Sequence, residues 1–91
     1  MTHGRIYGMW GRGTMYVVSV KDVLLKRIVV VARGNKAKIE VKVEGTGDVS
    51  EIVFDGKGNS PILEVSAPAT YPCKDRIKST GKESGTCKVT P

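Results

Sequence analysis

Residues 28–44, IVVVARGNKAKIEVKVE, carry the tightest constraint in the chain. Residues 28–32 are an apolar, mostly β-branched run. Residues 36–44 alternate strictly between polar and apolar, the two-residue period of a strand with one buried face. Between them Gly34-Asn35 is flanked by Arg33 and Lys36, and both central residues tolerate the positive φ that two-residue hairpin turns demand. The spacing predicts a β-hairpin of fixed register, with Ala32 opposite Ala37, Val30 opposite Ile39 and Ile28 opposite Val41 on one core-facing side. The other side receives Arg33 with Lys36, Val31 with Lys38, Val29 with Glu40, and Arg27 with Lys42. Like charges directly opposed across a ladder are destabilising by roughly some tenths of a kcal/mol, so two cationic pairs invite a reason. Either a polyanionic ligand lies across them, or they sit at hairpin ends where long side chains splay into water.

A chain of 91 residues makes one domain with a small core, for which an extra covalent staple is unsurprising. Its 15 Lys and Arg against 9 Asp and Glu give a net charge of +6. The excess is lopsided: residues 1–47 hold nine basic and three acidic side chains, and residues 48–91 hold six of each. Such an excess speaks to partners and solubility rather than to fold. Nucleic acid is the partner it suggests. An anionic membrane surface is less suited, because no amphipathic helix is evident. The longest apolar run, residues 28–32, is far below the ~20 residues of a transmembrane helix.

Cys73 and Cys87 would close a loop of about 15 residues, worth roughly 3 kcal/mol in the chain-entropy model. The intervening KDRIKSTGKESGT has almost no apolar content to order itself. A structural disulfide is therefore expected, with two unpaired thiols as the alternative. Two Cys and the distant His3 fall short of the four ligands of a zinc site, and no other cofactor is implied. A disulfide points to an oxidising compartment or to a hyperthermophile cytosol. The N-terminus lacks the apolar core of a signal peptide, so a cytoplasmic location is expected.

Residues 1–14, MTHGRIYGMWGRGT, interleave Gly and Arg with Tyr7 and Trp10, a composition suited to RNA contact, where arginines meet phosphates and rings stack on bases. A loosely ordered terminus is the competing expectation. Tyr16 opens a first strand, YVVSV. Ser19 to Asp22 then has the Ser-x-x-Asp form of a helix start, so a short helix over 20–27 competes with a bend feeding the next strand. Residues 49–54, VSEIVF, make a fourth strand whose Glu51 is expected to face a basic strand. Residues 55–61, DGKGNSP, read as a long hairpin loop. That loop has neither the spacing of a phosphate-binding loop nor the carboxylates of a calcium loop. Residues 62–66 form a fifth strand, Pro68 and Pro72 prevent its continuation, and residues 86–89 return as a short edge strand.

Strands at 8–13-residue spacing with Gly-rich turns predict an all-β fold, a small antiparallel barrel or sandwich of five to six strands. The organisation read from this is an N-terminal segment over 1–14, a β domain over 15–71, and a loop-rich tail over 72–91 closed by the disulfide. No internal repeat is read in the chain. A nucleophile with a base, a carboxylate pair and a metal set are all missing, so a non-enzymatic role is expected. The first expectation is nucleic-acid binding through phosphate contacts with little sequence preference. Arg27, Arg33, Lys36, Lys38 and Lys42 would supply charge, and Tyr7, Trp10 and Tyr16 stacking. The alternative is a structural or assembly protein, a homo-oligomer that self-associates through exposed strand edges, with residues 49–54 as the pairing edge because that strand carries no lysine.

Overall fold

The computed structural model describes residues 15–32, 36–57, 60–81 and 83–90, together with the backbone path of residues 2–7. The elements run β1 (Thr2–Tyr7), β2 (Met15–Lys21), β3 (Leu24–Ala32), β4 (Lys38–Glu44), β5 (Asp48–Gly56), β6 (Ile62–Pro68), α1 (Cys73–Arg76), β7 (Ile77–Ser79) and β8 (Thr86–Thr90). Odd-numbered strands form one sheet, β1-β3-β5-β7, and even-numbered strands a second, β2-β4-β6-β8. Every pairing is parallel. Each strand lies beside the strand two before it, so the chain winds as a two-sheet solenoid whose coils each give one strand to each sheet.

This overturns the expected antiparallel barrel or sandwich, and with it the hairpin at 28–44. β3 and β4 belong to different sheets and do not pair with each other. Alternation along a strand dictates which side chains are buried but not which strand lies alongside. The core-facing set accordingly matches the expectation, though Val31 on the opposite side is buried too, while the strand partners do not match. Ile28, Val30, Ala32, Ala37, Ile39 and Val41 are all buried. Yet Ile28, Val30 and Ala32 pair with Ile52, Phe54 and Gly56, and Ile39 and Val41 pair with Leu63 and Val65. Asp55 and Gly56, expected in a long hairpin loop, instead end β5, and β5 and β6 lie in different sheets.

The coils repeat every 24 residues through the middle of the chain. Leu25 pairs with Val49, Ile28 with Ile52 and Ile39 with Leu63 at this offset. The sequence carries the same period as identities: Ile28 and Ile52, Val29 and Val53, Gly34 and Gly58, Asn35 and Asn59, Glu40 and Glu64, Val41 and Val65. An internal repeat therefore exists, and each unit buries its apolar face by stacking on the next. Core rows run along the solenoid axis: Ile28–Ile52–Ile77 in one sheet, and Val18–Val41–Val65–Cys87 in the other.

Turns are locked between coils. Asp22 takes φ 56° and its carboxylate accepts the Thr46 amide at 2.8 Å and the Thr46 hydroxyl at 3.2 Å. Gly45 sits against that carboxylate at φ 61°, where any Cβ would collide with it. The helix considered over 20–27 is absent: β2 runs to Lys21, Asp22 makes the turn, and β3 starts at Leu24. Val17, Val18, Val20 and Val23 favour strand over helix, and Asp22 spends its side chain on the next turn rather than on a cap. The only helical turn among the described residues is α1, in the last coil.

Candidate functional site: the two end coils

Of the eight residues expected to hold nucleic acid, the side chains described are Arg27, Lys36, Lys38, Lys42 and Tyr16, and Arg27 stands on a different sheet from Lys38 and Lys42. Arg27 lies on the outer side of the odd-strand sheet, its Nε 2.9 Å from Glu51, and Lys78 reaches the same carboxylate at 3.0 Å. These two cations hold the Glu51 carboxyl below its ordinary range, the Lys78 bond being the larger cause. The expectation that Glu51 faces a basic strand is met, and part of the positive excess is thereby neutralised within the fold. Lys38 and Lys42 lie on the outer side of the other sheet with Glu40 between them, and Lys42 is 3.5 Å from Glu40. Lys36 is exposed in the turn before β4, at φ 53°. Tyr16 is in register with Ile39, on a core row, and is 39% exposed. Tyr7 is placed only by its backbone register with Val31. Trp10 and Arg33 lie outside the described residues.

Residues 49–54 are not a pairing edge either. β5 is flanked by β3 on one side and β7 on the other. The strands that pair on one side only, among the described residues, are β1 and β2 at one end of the solenoid and β7 and β8 at the other. A parallel ladder leaves unsatisfied amides and carbonyls along such edges. No signal in a single strand reports this; only the 24-residue repeat does.

The two ends are built differently. β2, MYVVSVK, has no charge before Lys21. Its outward Met15 and Val17 are 54% and 52% exposed. Ile62, further along the outer row of Met15 and Lys38, is also exposed. At the other end β7 has three residues and β8 five, with Lys78 and Lys88 at their centres. β7 pairs only with Ile52, Val53 and Phe54 of β5.

Several groups fasten this last coil. The Cys73 and Cys87 sulfurs stand at disulfide-bonding distance, Cα atoms 6.1 Å apart, joining α1 to β8. The Tyr71 hydroxyl donates to the Val49 carbonyl at 2.6 Å in the core, and burial pushes its pKa up to about 12. Arg76 lies 5.9 Å from the centre of that ring and donates to the Ser50 carbonyl at 3.3 Å. The Thr80 amide continues the ladder to the Phe54 carbonyl at 2.9 Å. Gly81 packs against the Gly56 backbone, a spot where a Cβ has no room. A groove of about 550 Å³ opens beside the disulfide, lined by Lys74, Ile77, Gly85, Thr86 and Cys87 among others.

Among the described residues no three His, Cys, Asp or Glu side chains gather to hold a metal ion. No helix among them is long and apolar enough to cross a membrane. No family model, curated protein or solved structure matches the chain.

Proposed function

We propose that this protein is an assembly module, a solenoid segment that self-associates through the strand edge of its N-terminal coil. The observation that carries this reading is the charge-poor edge of β2 set against the lysine-centred edges of β7 and β8. A twofold axis normal to the sheets brings two N-terminal ends together with their edge strands antiparallel. Centred on Val18, such pairing places Met15 opposite Lys21, Tyr16 opposite Val20 and Val17 opposite Ser19, so no like charges meet along β2. The same operation on β8 puts Lys88 opposite Lys88, and on β7 Lys78 opposite Lys78, which is unfavourable. The pair is therefore closed and isologous, formed by the N-terminal ends.

Val17 and Ser19 point outward, so charging them leaves the core rows intact. The Val17→Lys/Ser19→Lys variant sets each introduced lysine opposite an introduced lysine of the second copy. The Val17→Lys/Ser19→Glu variant restores attraction at the same positions. Sedimentation equilibrium is expected to show a pair for wild type, dissociation for the first variant and a pair again for the second. A wild-type monomer at every concentration overturns the reading.

Nucleic-acid binding has one observation in its favour: Lys42 and Lys88 flank Ser66 in a single outward row, above a groove of about 370 Å³. Glu40 and Glu44 line the same groove, which weakens it. A filter-binding titration at two salt concentrations decides. Phosphate contacts by Lys38 and Lys42 would make the log–log salt slope fall by about 1.8 on Lys38→Gln/Lys42→Gln. An unchanged slope, or no binding at low salt, removes this alternative.

A further inference from the structure

We infer that the last coil is a redox latch covering a second interaction edge: reducing Cys73–Cys87 releases it, and the N-terminal coil of another copy takes its place. This inference rests on the assembly reading above.

The disulfide ties the coil to itself rather than to the coil beneath. It links the helical turn that opens the coil, α1, to the strand that ends it, β8. Strand pairing with the third coil is short along the odd-strand sheet, where β7 pairs with three residues of β5 while β3 pairs with eight, although β8 pairs with five residues of β6. Under the latch lie Phe54 and Leu63, both fully buried. The C-terminal side of β5 and β6 is thus an edge that the latch alone covers.

That edge matches the N-terminal coil by register. Met15 stacks on Lys38 and Lys38 on Ile62; Tyr16 stacks on Ile39 and Ile39 on Leu63; Val18 stacks on Val41 and Val41 on Val65. Continuing the same offsets sets Met15 of a second copy on Ile62, Tyr16 on Leu63, Val17 on Glu64, Val18 on Val65 and Ser19 on Ser66. β8 now offers those positions Thr86, Cys87 and Lys88. The apolar rows run on more fully with β2 than with β8. Head-to-tail stacking of this kind does not close, so it grows into a filament, and because it uses the same β2 edge the closed pair must dissociate to supply it.

The chemistry is a two-electron reduction. A thiolate of a dithiol reductant attacks Cys87 Sγ in the groove, where the Lys74 ammonium favours the anion. The S–S bond breaks and Cys73 leaves as thiolate. The reductant's second thiol then displaces Cys87, leaving as a cyclic disulfide, and both cysteines take up protons. In the chain-entropy model, loss of the cross-link raises opening of the coil about a hundredfold.

The experiment uses the full chain at several concentrations, with and without dithiothreitol, followed by light scattering, electron microscopy and hydrogen exchange. Oxidised protein is expected to stay at two copies. Reduced protein and the Cys73→Ser/Cys87→Ser variant are expected to grow into elongated particles, with amides of 77–90 exchanging about a hundredfold faster while those of 28–54 hold. The Val17→Lys/Ser19→Lys variant separates the two ideas. It breaks the twofold pair, yet head-to-tail it sets the lysine introduced at position 17 over Glu64, so it should still form filaments when reduced. An oxidised monomer with reduction-dependent filaments overturns the closed pair and leaves the latch standing. Equal mass in both redox states, or loss of protection over 28–54 on reduction, overturns the latch.

Discussion

β2 and β8 are the outermost strands of one sheet, at opposite ends of the solenoid. β2 runs seven residues with a single charge at its last position, and its Met15 and Val17 stand in solvent. β8 runs five residues around Lys88, has a disulfide through Cys87, and lies beside a helical turn. Its Val89 pairs with Ala67 on a core row but is 66% exposed, since no further strand follows on that side among the described residues. Exposed apolar surface alone therefore does not distinguish the ends; charge and covalent fastening do. Parallel strands stack identically in either direction, so a solenoid limits its own growth only by what it puts on its last edges.

The difference is sharpened first by the row Ile28–Ile52–Ile77, which runs from the second coil into the last. Ile52 is fully buried and Ile77 partly so. Ile52→Ala is expected to cost about 2–5 kcal/mol in chemical denaturation, and Ile77→Ala clearly less. Equal costs would mean that the last coil is as well packed as the middle.

Next is Tyr71, the core anchor of the last coil. Tyr71→Phe leaves the buried Val49 carbonyl without its donor and is expected to cost about 1–3 kcal/mol. Because the folded pKa of about 12 exceeds the ordinary 10.0, the folded chain holds this proton more tightly. The associated stability is present below pH 10 and is lost as pH rises towards 12. Denaturation measured over that window should fall in wild type and lose this component in the variant. A slope identical in both would remove Tyr71 from the fastening.

The smallest effect belongs to Asp22, which ties the turn after β2 to the turn after β4. The Thr46 amide and then its hydroxyl lower the Asp22 pKa from 3.8. Its stabilisation is present above that value and is lost as pH falls through the depressed folded one. Asp22→Asn should therefore reduce the acid sensitivity of thermal unfolding slightly, since the group is exposed and screened. An acid profile unaltered by the substitution would detach this bond from stability.

How far the fold was legible follows from what each residue pattern encodes. Alternation in KIEVKVE reports the buried side of β4, and Ile39, Val41 and Val43 are indeed in the core. It is silent on partners, because a parallel neighbour 24 residues away and an antiparallel one across a turn bury the same side chains. Gly34-Asn35 suggested the second; its recurrence as Gly58-Asn59 was the signal for the first. The Cys73–Cys87 pairing and the return strand at Thr86–Thr90 were legible, since a polar 13-residue segment has little else to order it. The candidate edges were not, because an edge is a property of stacking order. VSEIVF lacks lysine yet is interior, flanked by β3 and β7, and β4 carries Lys38 and Lys42 although it too is flanked on both sides.

The most direct measurement is hydrogen exchange on oxidised wild-type protein across a concentration series. Amides of Met15–Lys21 are expected to gain protection as concentration rises, while those of Thr86–Thr90 stay unchanged. Protection that rises at Thr86–Thr90 instead, or at neither strand, would contradict assembly through the N-terminal coil.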